Sequence, residues 1–355
     1  MKRLLSVLLI ISLILGCVSA LAEDPVEEAA MYVDAEPVTS GDYSYIIRDD
    51  GTIGITEYSG SVTDLVIPDE IDGEKVTWLM SASFADNSDI KSVVIPGSIT
   101  HVFANPFAAC ANLSSILVAD PDSNYEVADG ALFCKEPKRL ITYLMTNEAE
   151  SYDIPDETYE IGSNVFYANQ AIKTVSIPDS VEVLNANPFT LCLALTTIKI
   201  SPDNPRFAIM DGVMFRKEDK ALVSYPDGLT QVSYTVPQGI INIGDGAFAG
   251  ATALKSIILP ESVERLGIGA FAACMSLESI ELPAGLTCIG NGAFGYCQSL
   301  RTITIPDSVT EIGEEAFTYC DQLTITVSRD SYAAQYCKEN NLNYTYPDAN
   351  NWLNK

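Results

Sequence analysis

From Leu254 to Cys320, apolar and polar positions follow one pattern written three times at a step of 23 residues. Leu254, Ile257, Leu259, Pro260, Val263, Leu266, Ala270 and Phe271 recur as Leu277, Ile280, Leu282, Pro283, Leu286, Ile289, Ala293 and Phe294. They recur again as Leu300, Ile303, Ile305, Pro306, Val309, Ile312, Ala316 and Phe317. A fixed period of this length predicts a solenoid whose units bury their apolar faces against their neighbours. Leu254, Ile257 and Leu259 predict one short strand per unit, closed by Pro260 because proline cannot donate to a ladder. The second group, Val263, Leu266, Ala270 and Phe271, must fold back over that strand, or both groups stay wet. Each unit is thus expected to be one turn of a flattened coil, in a mainly β fold with parallel strands.

The register extends towards the N-terminus with three irregularities. Ile67-Pro68 to Ile95-Pro96 spans 28 residues, and the excess falls in Ile71 to Val76, read as a surface turn. Ala119 to Pro155 and Ser201 to Pro237 each span 36 residues, offset from one another by 82. At that offset Asn105-Pro106-Phe107 matches Asn187-Pro188-Phe189, and Asp129-Gly130 matches Asp211-Gly212. Phe133, Leu140 and Tyr143 likewise match Phe215, Leu222 and Tyr225, so a block has been duplicated. Each long unit predicts a hairpin interrupting the wall of strands: Ala131–Cys134 with Leu140–Leu144, and Val213–Arg216 with Ala221–Tyr225. At the ends, Tyr43–Ile47 and Thr52–Tyr58 around Asp50-Gly51 predict a capping hairpin. Ser331 to Asn340, with Ala333, Tyr336 and Cys337 on one face and Asp330 or Ser331 as N-cap, predicts a capping helix.

Residues 1–22 have the form of a signal peptide: Lys2 and Arg3, an apolar run, then Ala20-Leu21-Ala22. Ile14-Leu15-Gly16-Cys17 also resembles a lipoprotein box, which leaves anchoring through a lipidated Cys17 as the alternative to release. Residues 23–40 read as a flexible acidic lead, 41–345 as one solenoid with its caps, and 346–355 as a polar tail. The formal charge is −28, about −30 once Lys2 and Arg3 are removed, which disfavours nucleic acid and anionic membrane surfaces as partners. Eight cysteines follow the leader, and an exported chain with that number invites a disulfide framework. The register favours packing instead: Cys110, Cys192, Cys274, Cys297 and Cys320 each lie three residues after the repeat phenylalanine, where other units carry Asn87, Asn169 and Ala251.

The repeat Ile305-Pro306-Asp307-Ser308-Val309-Thr310-Glu311-Ile312-Gly313-Glu314-Glu315-Ala316-Phe317-Thr318-Tyr319-Cys320 resembles that of the BspA-type leucine-rich repeat family. So do the opening Ser40-Gly41-Asp42-Tyr43, the Ile71-Asp72-Gly73 unit and the closing Ser331-Tyr332-Ala333-Ala334-Gln335-Tyr336. The resemblance, over about residues 41 to 345, implies a leucine-rich-repeat-like right-handed coil, exposure outside the cell and, in some members, adhesion to host proteins. It implies no catalytic residues and no cofactor. An exported, non-catalytic protein that binds a host extracellular or other cell-surface protein is the expected function. A structural envelope role without a specific ligand is the alternative, and an enzyme a more remote one.

Enzymatic chemistry has few residues to work with. His101 is the single histidine and is read as a solvated turn residue. Gly267-Ile268-Gly269-Ala270-Phe271-Ala272 imitates a dinucleotide fingerprint, but Gly244-Asp245-Gly246 and Gly290-Asn291-Gly292 occupy the same turn in neighbouring units. Asp120, Asp122 and Asn124 imitate a calcium loop without its glycine and closing glutamate. Partner contact is instead expected on the outward strand positions Lys199, Lys255, Glu278, Glu281, Arg301 and Thr304. The long units are expected to add Tyr143, Arg216, Lys217 and Tyr225, with Lys135 and Lys138, since aromatic and Arg side chains dominate interfaces. Lys255, Glu278 and Arg301 also alternate in sign along one position, which permits a charge ladder.

Overall fold

The computed structural model describes residues 36–184 and 186–347. The expected leader at 1–22 with Cys17, the lead as far as residue 35 and the tail from 348 lie outside the described residues. The chain divides into two compact units, Met1–Arg206 and Phe207–Lys355. That boundary falls inside the span read as a single solenoid, and each unit by itself is a stack of parallel-stranded coils.

The coil is clearest in the second unit, where it carries two strands rather than the one expected. Ser233–Thr235, Ser256–Ile258, Ser279–Glu281, Thr302–Thr304, Thr324–Thr326 and Tyr344–Thr345 form one parallel sheet, with Ile257 opposite Ile280 at the 23-residue step. Asn242–Ile243, Arg265–Leu266, Cys288–Ile289 and Glu311–Ile312 form a second parallel sheet with Ile243, Leu266 and Ile289 in line. Two residues are too few to display an alternation, which is why the second strand is silent in the sequence. Ile257, Ile280 and Ile303 point inward from one sheet and meet Leu266 and Ile289 from the other.

A third column of hydrogen bonds closes the coil. The backbone N–H of Phe248 donates to Ala270, that of Phe271 to Ala293 and that of Phe294 to Ala316, each at 2.8 Å. The rings above these bonds stack from Phe248 to Phe271, Phe294 and Phe317 at 5.2, 5.3 and 5.5 Å, their planes only 14°, 10° and 2° apart. The stack follows the spacing that these bonds impose, and the glycine that ends each second strand is where the coils come closest. A Cβ on Gly290 would lie 2.5 Å from the Gly267 carbonyl carbon, and one on Gly313 2.4 Å from the Asn291 nitrogen.

The cysteine column is packed and unbridged. Cys110, Cys192, Cys274, Cys297 and Cys320 are buried thiols, and each Sγ donates to the carbonyl of the phenylalanine 26 residues earlier, at 3.0–3.1 Å. In the same column Asn169 donates to the Leu144 and Asn147 carbonyls and accepts from the Ala171 and Ile172 N–H groups. Position three after the phenylalanine therefore takes a small side chain, which donates backwards where it is Cys or Asn and only fills space where it is Ala251. Burial pushes the Cys110 and Cys320 thiols up to about 12 and raises Cys274 and Cys297 as well.

In the first unit Asp64–Val66, Ser92–Ile95 and Ser115–Val118 form one parallel sheet; Ser151–Asp153, Thr174–Ile177 and Thr197–Ile200 form another. The N-terminal hairpin is present as Tyr43–Ile47 and Ile53–Tyr58, and order starts earlier than expected. Val38–Ser40 pairs antiparallel with Tyr43–Ile47 across a turn that Gly41, at φ 58°, allows. Residues 71–76 are a hairpin rather than a surface turn: Glu70–Ile71 pairs with Glu74–Leu79, and Val76 is fully buried. The long units differ from expectation in having three strands, Tyr125–Ala128, Ala131–Cys134 and Arg139–Tyr143, and likewise Phe207–Met210, Val213–Arg216 and Ala221–Ser224. The last of each set pairs in parallel with Glu160–Ile161 or Asn242–Ile243, so the meander feeds the second sheet instead of interrupting the wall. At the C-terminus, helix Tyr332–Glu339 starts at Ser331, whose hydroxyl accepts from the Ala334 N–H, and buries Ala333, Tyr336 and Cys337. Tyr346, placed by the sequence in a polar tail, packs under the Arg329 guanidinium at 4.1 Å.

Phe271→Ala is expected to cost about 3–5 kcal/mol through the cavity it opens, and Gly290→Ala about 1–3 kcal/mol through backbone overlap, both read from denaturant melts. Native thiol labelling at neutral pH should modify the half-buried Cys134 first among the eight described cysteines, and the column only on unfolding; equal rates would refute the packing. The folded state holds the column thiols protonated above their unfolded pKa near 9. Stability should therefore be intact below about pH 9 and fall towards pH 12, by up to about 1.4 kcal/mol per pH unit per thiol.

Candidate binding surface

Strand alternation decides which side chains leave the core. In the second unit Ile257, Ile280 and Ile303 face inward, so Ile258, Glu281 and Thr304 face out. Thr235, Ile258 and Glu281 lie in one outward register row, and Glu281 and Thr304 line a shallow groove between their strands. Lys255, Glu278 and Arg301 are exposed at the strand starts. Lys255 Nζ meets Glu278 Oε1 at 2.9 Å, the first rung of the expected ladder. With both side chains more than half exposed, the pair contributes at most about 1 kcal/mol, and Arg301 makes no ion pair among the described residues.

In the first unit the outward row Asp153, Ser176 and Lys199 is polar, and Lys199 shares a groove with Asp153 and Asp156. The preceding sheet differs. Its outward row is Val66, Val94 and Leu117, aliphatic in three successive strands, with Val66 63% and Leu117 58% exposed. Ile258, also 58% exposed, is the counterpart in the second unit. Sequence reading passed over these residues because Val and Leu in a short apolar run look like core. The signal that identifies them is parity: Leu65, Val93 and Ile116 already fill the inward positions.

The long-unit candidates do not reach the surface as expected. Tyr143 and Tyr225 are 2% and 1% exposed. Each stands 23 residues before a ladder phenylalanine and occupies the same column, 4.9 Å from Phe166 and 5.3 Å from Phe248. Their N–H groups donate to Val165 and Ala247 as a ladder phenylalanine would. Burial raises both phenols to about 12. Arg216, half-buried, grips Asp219 through Nε and a terminal nitrogen at 2.9 and 2.8 Å. The fork raises the Arg216 pKa, and it holds the Asp219 carboxyl low against the opposing effect of burial. Arg216 therefore fixes the hairpin turn, while Lys217 beside it is exposed. In the first long unit Lys135 Nζ caps the Pro121 and Ser123 carbonyls, and Lys138 sits between Glu126 and Glu157.

His101 belongs to the two-residue strand His101–Val102, not a turn. Its ring packs 5.0 Å from Trp78, over which Arg48 lies at 3.6 Å, and its Nδ1 is 3.0 Å from the Thr100 hydroxyl. Asp120 caps the Asp122 N–H, and Asn124 bridges Cys134 and the Glu136 carbonyl, so both serve turns. Among the described residues no group of three His, Cys, Asp or Glu side chains can hold a metal ion, and no helix is long and apolar enough to cross a membrane.

The family model for the BspA type leucine rich repeat region matches six copies over residues 57–136, 142–232 and 224–343. A leucine-rich repeat protein from Eubacterium ventriosum is 20% identical, covers 81% of this chain and 83% of its own, and superposes with a TM-score of 0.50. A leucine rich cell surface protein from Faecalibacterium prausnitzii is 22% identical over 88% of this chain and 95% of its own, at a TM-score of 0.49. The pneumococcal vaccine antigen PcpA is 22% identical over 83% and 82%, at 0.48. No curated protein matches the chain.

Tyr143→Ala and Tyr225→Ala should each lower stability by about 3 kcal/mol or more, as loss of a ladder ring does. Calorimetry showing unchanged melting would return both residues to the list of surface contacts.

Proposed function

The chain belongs to the BspA-type leucine-rich repeat family, and from that premise we propose that it is an exported, non-catalytic protein that binds another protein at the cell surface. The observation that carries this reading is the outward aliphatic row Val66, Val94 and Leu117 on a parallel sheet, exposed at Val66 and Leu117 and half-buried at Val94 between them. The solenoid needs no apolar side chain at those outward positions, and isolated exposed leucines are ordinary whereas an aligned row is an interaction surface. Within the first unit Lys199 is an exposed polar wall residue of the kind found at interface rims, and in the second unit Lys255, Glu278, Glu281, Arg301 and Thr304 form an exposed polar wall of its own. Export rests on the leader pattern at residues 1–22, and release or Cys17 anchoring are its two outcomes. A host extracellular protein or a protein of another cell surface is the proposed partner class.

Binding of the mature chain to immobilised fibronectin, fibrinogen, laminin and collagen, followed by biolayer interferometry, tests this directly. At least one is expected to bind, and Val66→Asp with Leu117→Asp should weaken it about tenfold or more, roughly 1.4 kcal/mol, without lowering the melting temperature. Lys255→Glu with Arg301→Glu reports the contribution of the second unit's wall. No binding to any of the four, or full binding by both double variants, would overturn the reading.

A further inference from the structure

Among the described residues, the last phenylalanine turn of the second unit, Phe317 to Cys320, has a neighbouring turn on one side only. In the coils before it, the backbone N–H groups of Gly250, Ala273 and Tyr296 donate to Ala272, Gly295 and Thr318 of the next coil. Tyr319 holds the same position, with the same left-handed backbone at φ 55°, but its N–H has no acceptor among the described residues. Beyond that turn the capping helix covers the core, where Tyr336 meets Phe317 edge-on at 6.5 Å, and Tyr344–Thr345 continues the wall sheet, but neither extends the column of turns. Beside that contact a cleft of about 400 Å³ stays open, lined by Thr318, Tyr319, Asp321, Asn341, Leu342 and Asn343.

The cleft has the chemistry of a ligand site. Tyr319 is 53% exposed, and one face of its ring is covered by Tyr296 at 4.5 Å and 20°. The other face looks along the stack towards the position of the absent coil, where Asn341 to Asn343 close the cleft. Asn343 is steadied by donating its amide to the Thr324 hydroxyl at 2.8 Å, which leaves its amide oxygen without a partner among the described residues. The Asp321 carboxylate and the Asn341 amide are exposed and likewise make no side-chain hydrogen bond there.

We infer that this cleft binds a neutral pyranose saccharide, with one sugar ring stacked on Tyr319. The electron-rich face of a tyrosine attracts the polarised C–H groups on the apolar face of a pyranose. Around the rim, a carboxylate and two planar amides supply acceptors and donors for adjacent hydroxyls. The volume lies in the range of small-molecule sites and admits one or two sugar rings. Asp321 and the −28 charge of the chain select against anionic sugars. The cleft lies wholly within the second unit and does not depend on the protein-binding wall.

Saturation-transfer NMR and calorimetry with lactose, maltose, cellobiose and N,N′-diacetylchitobiose test the inference on the full mature chain. At least one disaccharide should bind at about 1 mM, near −4 kcal/mol, with transfer from the tyrosine protons. Tyr319→Ala should weaken it about tenfold or more while the melting temperature holds, because the ring is exposed. Tyr319→Phe, which keeps the stacking face, should retain binding within about threefold. Absence of binding by all four at 20 mM, or binding indifferent to Tyr319→Ala, would overturn the inference.

Discussion

Backbone donors on the edge of each coil are satisfied by the coil beside it, and this reciprocal hydrogen bonding is the constraint from which the rest of the structure follows. Three columns of bonds, one in each sheet and one at the phenylalanine turn, demand that neighbouring chains run at nearly one spacing throughout. Strands in a sheet sit about 4.8 Å apart, and the phenylalanine rings follow that repeat as a near-parallel stack with centroids 5.2 to 5.5 Å apart. Wherever backbone meets backbone more closely, as at Gly290 over Gly267, a side chain has no room. The 23-residue period is the path length that closes all three columns at once.

The same constraint explains how the long units are tolerated. An extra meander is harmless provided the chain re-enters the columns in register, and Tyr143 and Tyr225 mark the re-entry. Each brings a ring, a donating N–H and, just before it, a second strand into the positions of an ordinary coil. Behind the N-terminal hairpin Tyr58 likewise places a ring next to the first ladder phenylalanine, 5.6 Å from Phe84. Tyrosine begins these stacks where phenylalanine continues them.

Much of this was legible in the sequence because it repeats. The period, the parallel strands, the unbridged cysteine column and the helix cap with Ala333, Tyr336 and Cys337 inward all follow from spacing. The second strand was not legible, because Arg265–Leu266 or Glu311–Ile312 has no pattern of its own and exists through its neighbours. Surface residues were misjudged in both directions for one reason: exposure is set by column, not by residue type. Tyr143 looked like an interface residue and is a ladder ring; Leu117 looked like core and stands in solvent. Wall residues such as Lys199, Lys255 and Glu281 were found because their strand parity was clear.

The stepwise bonding of coil to coil also has a mechanical meaning. In the second unit a load applied at the chain ends would meet the hydrogen-bond columns in series, so coils would peel away one after another instead of yielding together. Each detached coil would release 23 residues, about 75 Å of extended chain, and the coils behind it would keep their cores. A protein tethered at one end and holding a partner elsewhere would then lengthen under tension before it let go.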